Sequence, residues 1–396
     1  MFRFQNYSFD QQRGLASFNY EGPTGIQFTE TVEFTIPEST FYNSKTLDYA
    51  MFLAFIVIGT SYYKANPTKE IQLPESIDET QAKFFSQIYQ EGLSQFAFEN
   101  GLKRADLAHF TASDNAKKPV LPENTPQDPV RLVLLSGGKD SLLTAEKLYR
   151  ENLPFTSVYI SNNNADLPEI VSSYGKPIVI RRHIDRENLQ KATGLNGHVP
   201  ITLINESLAL IQAVLMGATE IYLGLGREGE EQHAYIDDLP VNHQWAKAPA
   251  TQKSFKSYVA SYVSKSIQFK SLLENQTELA IAGEFVNLCW DKFGDKFSSC
   301  NVANYKQGNN NKTLKWCGKC PKCANSFLLF APYLPLEKQP FGHDLFLDPD
   351  LTDTFKGLLG VEGFIKPFEC VGTIAELREA YKTRLPDYSK LSFLEV

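Results

Sequence analysis

The spacing of apolar residues changes along the chain and predicts a different kind of element in each part. Residues 1–40 alternate apolar and polar positions between Gly and Pro breaks, a pattern typical of short antiparallel strands. Helical spacing follows at 47–63 and again at 78–98. The segment 111–129 is rich in Pro, Asp, Asn and Lys, which predicts a linker and a domain boundary near residue 125.

Beyond this linker, short apolar runs alternate with helical patterns. The runs are RLVLL, TSVYI, PIVIRR and EIYLGL, beginning at residues 131, 156, 177 and 220. One intervening helix is predicted directly after the first run, another ends at Gly217, and a third covers 253–267. Apolar strands that alternate with helices predict an α/β fold with a parallel sheet covered on both faces.

Composition and charge narrow the class of protein. The 396 residues carry 39 basic and 46 acidic side chains, a formal net charge of −7, so no general basic field attracts nucleic acid or anionic lipid. The most hydrophobic window, 49–63, is shorter than the ~20 residues of a membrane span and predicts a buried core helix. The N-terminus shows no secretory signal, and six cysteines are too few for a disulfide scaffold. We therefore predict a cytoplasmic protein with no nucleic-acid or membrane partner.

The sequence SGGKDS, residues 136–141, stands between a predicted strand and a predicted helix. Gly137 and Gly138 allow the backbone to approach a ligand, and free amides at a helix start attract an anion. Ser136 and Ser141 add hydroxyl groups, and Lys139 adds a compact cation. Two interpretations of Asp140 are open, as a ligand of phosphate-bound Mg²⁺ or as a cap of the first helical turn. The alternative to a phosphate site is a glycine turn that binds nothing. The motif is not a Walker A loop, because GxxxxGK[ST] is absent.

Four cysteines form the second cluster of candidate ligands. Cys317, Cys320 and Cys323 make two overlapping C-x₂-C pairs, and Cys300 lies upstream. Four thiolates suit tetrahedral Zn²⁺ with no position left for water, which favours a structural zinc site. Redox or sulfur-transfer chemistry, and free cysteines without metal, are the alternatives.

The SGGKDS stretch resembles the SGGxDS signature of the PP-loop ATP pyrophosphatases, over roughly residues 130–330. Members of that superfamily cut ATP between the α and β phosphates and adenylate an acyl or carbonyl oxygen. The resemblance implies bound ATP and Mg²⁺, with Ser161 and the asparagines that follow it near the adenosine. The PP-loop enzyme that forms a nitrile in queuosine synthesis has a similar four-cysteine site, but it lacks the ~125 residues that precede the loop here.

Five further segments resemble one family within this superfamily. They are GTSYYKA (59–65), GHVPIT (197–202), VNHQWAK (241–247), WCGKCPKC (316–323) and KPFECVGT (366–373). The family is the ATP-dependent UDP-N-acetylmuramoyl-L-alanyl-L-glutamate epimerases, called MurL, which invert the terminal glutamate of a peptidoglycan precursor. The stretch GLGREGEEQ (224–232) departs from the asparagine- and serine-rich sequence expected there.

The implied chemistry explains why an epimerase would consume ATP. The α-hydrogen beside an ionised carboxylate is scarcely acidic, because deprotonation would place a second negative charge next to the first. Transfer of AMP to the carboxylate removes that charge, so a base can take the α-proton and its return to the opposite face inverts the centre. Water then releases AMP.

Several residues are candidates for the base, and the sequence does not choose among them. His198 and His243 exchange protons near neutral pH, Lys64 belongs to the SYYK stretch, and Cys370 is a candidate thiolate. Each histidine is equally well explained as a hydrogen-bonded structural residue, and the SYYK stretch, with Tyr62 and Tyr63, as the end of a core helix.

Cations are expected around the substrate as well. Arg181, Arg182 and Arg227 are candidate clamps for the substrate carboxylates and the UDP diphosphate, with a solvated surface role as the alternative for each.

The complete hypothesis has three parts. We expect an N-terminal α+β substrate domain over 1–125, a PP-loop ATP-binding domain over 126–290, and a C-terminal segment with the four-cysteine zinc site over 291–396. The substrate would be a small-molecule nucleotide-sugar dipeptide, with ATP, Mg²⁺ and a structural Zn²⁺ as cofactors. The alternatives are a PP-loop ligase or amidotransferase acting on another carboxylate, and a nucleotide-binding protein without catalysis.

Overall fold

The computed structural model describes residues 1–37, 42–116, 118–121, 128–162, 167–192, 194–306 and 312–383. The predicted boundary near residue 125, the asparagines Asn163 and Asn164, and the last 13 residues lie outside this described part. The strands are β1 Phe2–Asp10, β2 Leu15–Glu21, β3 Gln27–Glu33, β4 Ile71–Gln72, β5 Arg131–Leu134, β6 Thr156–Asn162, β7 Ile178–His183, β8 Glu220–Leu223, β9 Ala234–Ile236, β10 Leu239–Val241 and β11 Gln268–Ser271. The helices are α1 Ser44–Tyr63, α2 Glu79–Gln90, α3 Ser94–Glu99, α4 Lys139–Arg150, α5 Arg186–Lys191, α6 Ile201–Met216, α7 Pro249–Tyr262, α8 Glu278–Phe293, α9 Pro321–Phe330, α10 Thr352–Leu358 and α11 Ile374–Lys382.

One sheet runs through most of the described chain, in the strand order β11-β8-β5-β6-β7-β3-β2-β1-β4. Its first five strands are parallel, as the alternating apolar runs predict. The N-terminal strands β1, β2 and β3 pair antiparallel, which confirms the alternating pattern of the first 40 residues. The fold is therefore mixed α/β with a large parallel portion. Membership of the PP-loop superfamily stays a prediction of the motif.

The parallel portion is doubly wound. The chain enters at β5, continues outward to β6 and β7, and then returns to the other side of β5 for β8 and β11. The connection after β5 therefore leads to one side of the sheet, and the connection after β8 leads to the other side. Open α/β sheets bind ligands in the crevice at the carboxyl ends of the strands at such a point.

The N-terminal strands extend the same sheet, because β3 pairs antiparallel with β7. A buried ion pair reinforces this junction: the Arg182 guanidinium on β7 donates hydrogen bonds of 2.5 and 3.1 Å to Glu30 on β3. Arg182 also donates to Ser61, and the Tyr62 hydroxyl donates to Glu30 at 2.7 Å. Strands from the first and second predicted domains thus share one sheet. The division at 125 and 290 stays a prediction.

Each face of the sheet is covered by helices, so two cores form. Leu132 packs in the core with α1, α6 and α7, whereas the next residue, Val133, packs in the core with α4, α8 and α9. This alternation follows from the two-residue period of a strand. A sheet buried on both faces explains why the sequence shows continuous apolar runs here rather than alternation.

Helix α1, with 20 residues, is the longest helix of the described chain, and most of its residues are buried. It is long and apolar enough, by length and composition, to cross a membrane, yet 89% of its most apolar window is buried inside the protein. The prediction of a buried core helix is confirmed, although the helix begins earlier than residue 49. Asn43 sets that start, because its side chain accepts hydrogen bonds from the amides of Lys45 and Thr46.

Two other predicted helices differ from the structure in length. The pattern at 78–98 corresponds to α2 and α3, which are separate helices with Gly92 between them. A Cβ at Gly92 would lie 2.4 Å from the Ile88 carbonyl oxygen, so no side chain fits at this position. The pattern at 253–267 corresponds to α7, which ends at Tyr262. Helix α6 ends as predicted at Gly217, whose φ is 65°.

Candidate functional site

The SGGKDS residues connect β5 to α4, as predicted. Gly138 is the N-cap of α4 in an extended conformation, and no side chain caps the helix. Its first amides are therefore available to an anion. Gly137 has a φ of 91°, and a Cβ there would lie 2.5 Å from Leu314 Cδ1. Only glycine satisfies both the backbone angle and the close packing at this position.

Lys139 and Asp140 form part of a charged group at the helix start. The Lys139 ammonium donates a 2.5 Å hydrogen bond to Asp140 Oδ1 and a second one to Glu278 on α8. Burial opposes the charge of Lys139, but the two carboxylates outweigh it and raise its pKa above the ordinary value. Burial, with the nearby charge of Asp140, also raises the pKa of Glu278. Lys139 is thus held as a cation and is largely neutralised by protein carboxylates.

A cavity of about 240 Å³ opens in front of the loop. Leu134 at the end of β5 and Leu223 at the end of β8 line it, so it lies at the divergence point of the sheet. A Cβ at Gly224 would come within 2.6 Å of the Asp140 backbone, and glycine is therefore needed for the β8 end to approach α4. We call this the loop cavity. Its polar lining residues are Ser136, Lys139, Asp140, Ser141, Thr202, Asn205, Glu206, Glu228, Gln244, Lys247, Glu278, Ser299, Lys322, Asn325, Ser326 and Cys370.

Cys370 is the predicted base candidate that the structure brings to the SGGKDS loop. It lines the loop cavity together with Lys247, although Cys370 and Ser141 are 229 positions apart in the sequence. The Lys247 ammonium pairs with Glu228 at 3.1 Å. Burial opposes the charge of Lys247, but the nearby Cys370 sulfur and Glu228 carboxylate raise its pKa well above the ordinary value. The cavity therefore places a thiol beside a persistent cation.

Glu206 is a residue of this cavity that the sequence analysis did not identify. It is fully buried on α6, and its Oε1 accepts a 2.8 Å hydrogen bond from Gln252. Its Oε2 has no hydrogen-bond partner within the described structure. Burial raises the pKa of Glu206 from 4.5 to about 8. A charged residue within the apolar stretch of α6 was the available signal.

Four other charged residues of the loop cavity also lacked a predicted role, and one of them, Glu228, belongs to the stretch GLGREGEEQ. Lys247 and Lys322 lie inside the family-like segments VNHQWAK and WCGKCPKC, whereas Glu278 begins α8. Sequence position did not distinguish them from surface charges. Their roles arise from convergence of separate elements on one cavity.

The other predicted bases form a separate group, which we call the histidine cluster: His198, His233, His243 and Lys64. The rings of His198 and His243 have centroids 4.4 Å apart, and that of His233 lies 6.2 Å from His243. His243 Nδ1 lies 2.7 Å from Gln95 Oε1. His233 was not among the predicted residues. Three of the six histidines of the chain lie in this cluster, and only the tertiary structure brings His233 to the other two.

The three imidazoles of the histidine cluster are uncharged at neutral pH, whereas Lys64 keeps most of its charge. Burial is the main cause and lowers the pKa of His198 and His233 to about 3 and that of His243 to about 4. Burial, aided by the charge of Arg182, lowers the pKa of Lys64 to about 8. The Lys64 ammonium donates to the Gly197 carbonyl at 3.1 Å.

The cluster and the loop cavity adjoin through consecutive residues. His243 belongs to the cluster and Gln244 lines the cavity. Likewise Phe368 stacks on His233, with ring centroids 5.6 Å apart, and Cys370 two residues later lines the cavity.

The four predicted zinc ligands converge as the spacing indicates. The sulfur atoms of Cys300, Cys317, Cys320 and Cys323 all lie within 4.8 Å of one another. Three of these distances are 3.5, 3.6 and 3.7 Å. Zn–S bonds of about 2.3 Å place the sulfurs of a tetrahedral site roughly 3.8 Å apart, so the donor set fits Zn²⁺. Lys322, between two of these cysteines, lines the loop cavity, so a metal here would help to form one wall.

The remaining predicted residues lie away from the loop cavity lining. Ser161 is buried at the carboxyl end of β6, the strand next to β5, and its contact with adenosine stays a prediction. Arg181 is exposed on β7, and Arg182 is buried against Glu30 rather than presented to a ligand. Arg227 pairs with Glu230 at 2.9 Å on the surface. Tyr62 and Tyr63 are core residues at the end of α1.

Comparison with known proteins identifies relatives along nearly the whole chain. The family model of the MurL N-terminal domain matches residues 1–272, and that of the MurL C-terminal domain matches residues 296–392. A UDP-N-acetyl-alpha-D-muramoyl-L-alanyl-L-glutamate epimerase of Salinispora tropica is 32% identical over 95% of this chain and 82% of its own length. Epimerases of the same name from Micromonospora sp. and Xanthomonas oryzae pv. oryzae are 32% and 31% identical, over 95% and 96% of this chain and 84% of their own lengths.

Proposed function

The chain belongs to the MurL family, and from this premise we propose that it epimerises the terminal L-glutamate of UDP-N-acetylmuramoyl-L-alanyl-L-glutamate with consumption of ATP. The observation that carries the proposal is the loop cavity. It combines an uncapped helix start after a glycine turn with Cys370 and Lys247 from distant parts of the chain. The groups that would bind phosphate and transfer a proton line one cavity, which supports the proposal.

ATP binding is assigned to the glycine loop. The free amides of α4, together with the hydroxyls of Ser136 and Ser141, suit the oxygens of a triphosphate. The carboxylate of Asp140 lines the cavity beside them and is an oxygen ligand of the kind Mg²⁺ prefers. Bound Mg²⁺ would neutralise charge on the phosphates. The Lys139 ammonium pairs with Asp140 and Glu278 and so offsets part of the negative charge that these carboxylates place at the helix start.

Adenylation prepares the substrate for proton removal. Attack of the glutamate α-carboxylate oxygen on the α-phosphorus forms the acyl–AMP bond and breaks the bond to pyrophosphate. The carboxylate thereby loses its negative charge, and the α-hydrogen becomes acidic enough for a protein base. Lys247 and Lys322 line the cavity and supply cations for the reacting carboxylate and phosphate.

Cys370 is the base that the cavity favours. It faces the same space as the phosphate loop, with Lys247 as counter-charge for its sulfur. His198 and His243 have pKa values of about 3 and about 4, so they bind a proton weakly at neutral pH. Their role in proton transfer, and that of Lys64, stays a prediction. Glu206 lines the cavity with a carboxyl group of pKa about 8, which suits return of a proton at neutral pH.

The test is AMP release from ATP with UDP-N-acetylmuramoyl-L-alanyl-L-glutamate in deuterated water. AMP together with deuterium at the glutamate α-carbon supports activation followed by proton exchange. AMP without deuterium would keep the adenylating loop but redirect the function to a ligase acting on a carboxylate. Tight ATP binding with no AMP would indicate a nucleotide-binding protein without this catalysis.

A further inference from the structure

A second cavity, of about 530 Å³, adjoins the loop cavity. Leu223, Leu225 and Lys247 line both cavities, so the two share a wall. We call it the lysine cavity, because its charged lining residues are the cations Arg227, Lys247, Lys253, Lys256 and Lys270 and the carboxylates Glu230 and Glu274. Carboxylates outside the lining, Glu228 and Glu220, pair with Lys247 and Lys270, so the least tightly paired cations of the cavity are those of α7.

Regular elements position these cations. Lys253 and Lys256 lie three residues apart on α7 and share a face of that helix with Gln252, while Lys270 lies near the carboxyl end of β11. The cavity thus opens at the carboxyl ends of β8 and β11, on the ligand-binding edge of the sheet. A rigid helix and a strand hold the lysines, rather than a loop.

The lysines of α7 are weakly committed to protein partners. Lys253 is exposed and has no ion pair within the described structure. Lys256 lies 3.8 Å from Glu274, and both side chains are partly exposed. A pair of that kind contributes little to stability, so a phosphate group competes with it readily.

The reaction needs two polyanion sites at the same time. ATP brings a triphosphate, and the nucleotide-sugar substrate brings a diphosphate that must remain bound while its far end is adenylated. The glycine loop accounts for one polyanion. We propose that the lysine cavity binds the diphosphate of the nucleotide sugar, with Lys253 and Lys256 as its principal ligands. This inference rests on the proposed function and adds where the nucleotide end of the substrate lies.

Direct binding of UDP tests the inference independently of turnover. Titration calorimetry with UDP is performed with a saturating non-hydrolysable ATP analogue, which fills the glycine loop. The variant is Lys253→Ala/Lys256→Ala, and the control is Lys265→Ala, an exposed lysine just beyond α7 that does not line either cavity. Loss of two charge-assisted contacts should weaken UDP binding about tenfold or more, with no change in the control.

Steady-state kinetics then distinguish the binding site of the nucleotide sugar from that of ATP. In the double variant the KM for the nucleotide sugar should rise by the same factor as the UDP dissociation constant, while the KM for ATP stays within about twofold of that of the unchanged protein. Unchanged UDP affinity would overturn the inference. A parallel rise in the KM for ATP would also overturn it, because the cavity would then serve ATP.

Failure of the epimerase proposal and failure of the diphosphate site give different results. A protein that binds UDP through these lysines but forms neither AMP nor D-glutamate keeps the diphosphate site and loses the epimerase proposal. A protein that epimerises the substrate while the double variant binds UDP normally keeps the epimerase proposal and loses the diphosphate site.

Discussion

Replacement of Glu206 by glutamine should change how the stability of the protein depends on pH. The carboxyl group is fully buried, and its pKa rises from 4.5 to about 8 because burial disfavours the charged form. Gln252 donates to it and the charge of Lys256 acts on it, but both effects are smaller than that of burial. The unfolded chain releases this proton above pH 4.5, whereas the folded chain retains it. Stability present below pH 4.5 is therefore lost progressively as the pH rises toward 8.

The size of the effect follows from the two pKa values. Relative to a neutral side chain, Glu206 costs the folded state about 1.4 kcal/mol at pH 5.5 and at most about 4 kcal/mol at pH 7.5. The Glu206→Gln variant removes this titration and leaves a carboxamide oxygen that accepts the same hydrogen bond from Gln252. Its stability relative to the unchanged protein should therefore improve by at most about 2.5 kcal/mol between the two pH values.

Urea unfolding at both pH values, followed by tryptophan fluorescence, measures the difference. The control is Glu187→Gln, because Glu187 pairs with Lys191 on the surface and its side chain is 79% exposed. The control should show no pH-dependent change. If the Glu206→Gln variant and the unchanged protein keep a constant difference in free energy of unfolding from pH 5.5 to 7.5, Glu206 is ionised in the folded state and the reasoning is wrong.

Four further predictions address the site and the fold. Asp140→Ala should abolish AMP formation with melting unchanged, and near-normal turnover would refute the assigned role of the loop. Cys370→Ser should abolish deuterium incorporation while ATP–pyrophosphate exchange continues, since adenylation precedes proton removal; exchange of deuterium at the normal rate would exclude Cys370 as the base. Cys320→Ser should lower both the zinc content, measured by atomic emission, and the melting temperature, and full metal content with unchanged melting would contradict a structural zinc site. Arg182→Met should lower the free energy of unfolding by about 3–5 kcal/mol, because it leaves Glu30 buried without its partner, and adding Glu30→Leu should restore most of the loss.

Local sequence patterns predicted those elements whose position depends on a single physical cause, such as burial of a strand on both faces or the need for glycine at a helix end. Apolar runs between helical patterns indicate strands buried on both faces, and β5, β6, β7 and β8 lie where those runs occur. Gly217 ends α6 because a left-handed residue is needed there. Helix limits were less accurate: Asn43 begins α1 earlier than hydrophobicity alone suggests, and α7 ends before its apolar stripe does.

The candidate site was predictable only in its contiguous motifs. The SGGKDS turn and the cysteine cluster are recognisable because most of their residues lie close together in sequence, and the structure brings the four sulfur atoms within 4.8 Å of one another. Glu206 is marked only as a charged residue in the apolar stretch of α6, and Lys247 belongs to no short-spaced set of ligands. Arg182, a candidate clamp for the substrate, is buried against Glu30 instead. The pairing of β3 with β7, which buries that arginine, depends on contacts between residues about 150 apart (183 − 31 = 152).

The sequence by itself indicated the kinds of element, the SGGKDS turn, the convergence of four cysteines and the family, because each depends on residue type at short spacing. The tertiary structure alone decided which distant residues share a cavity. It placed Cys370 with the glycine loop and the histidines in a neighbouring cluster, and it set α7 lysines beside the β11 end. Burial decides whether a carboxyl group, a lysine or an imidazole is charged, and burial is a property of packing rather than of sequence position.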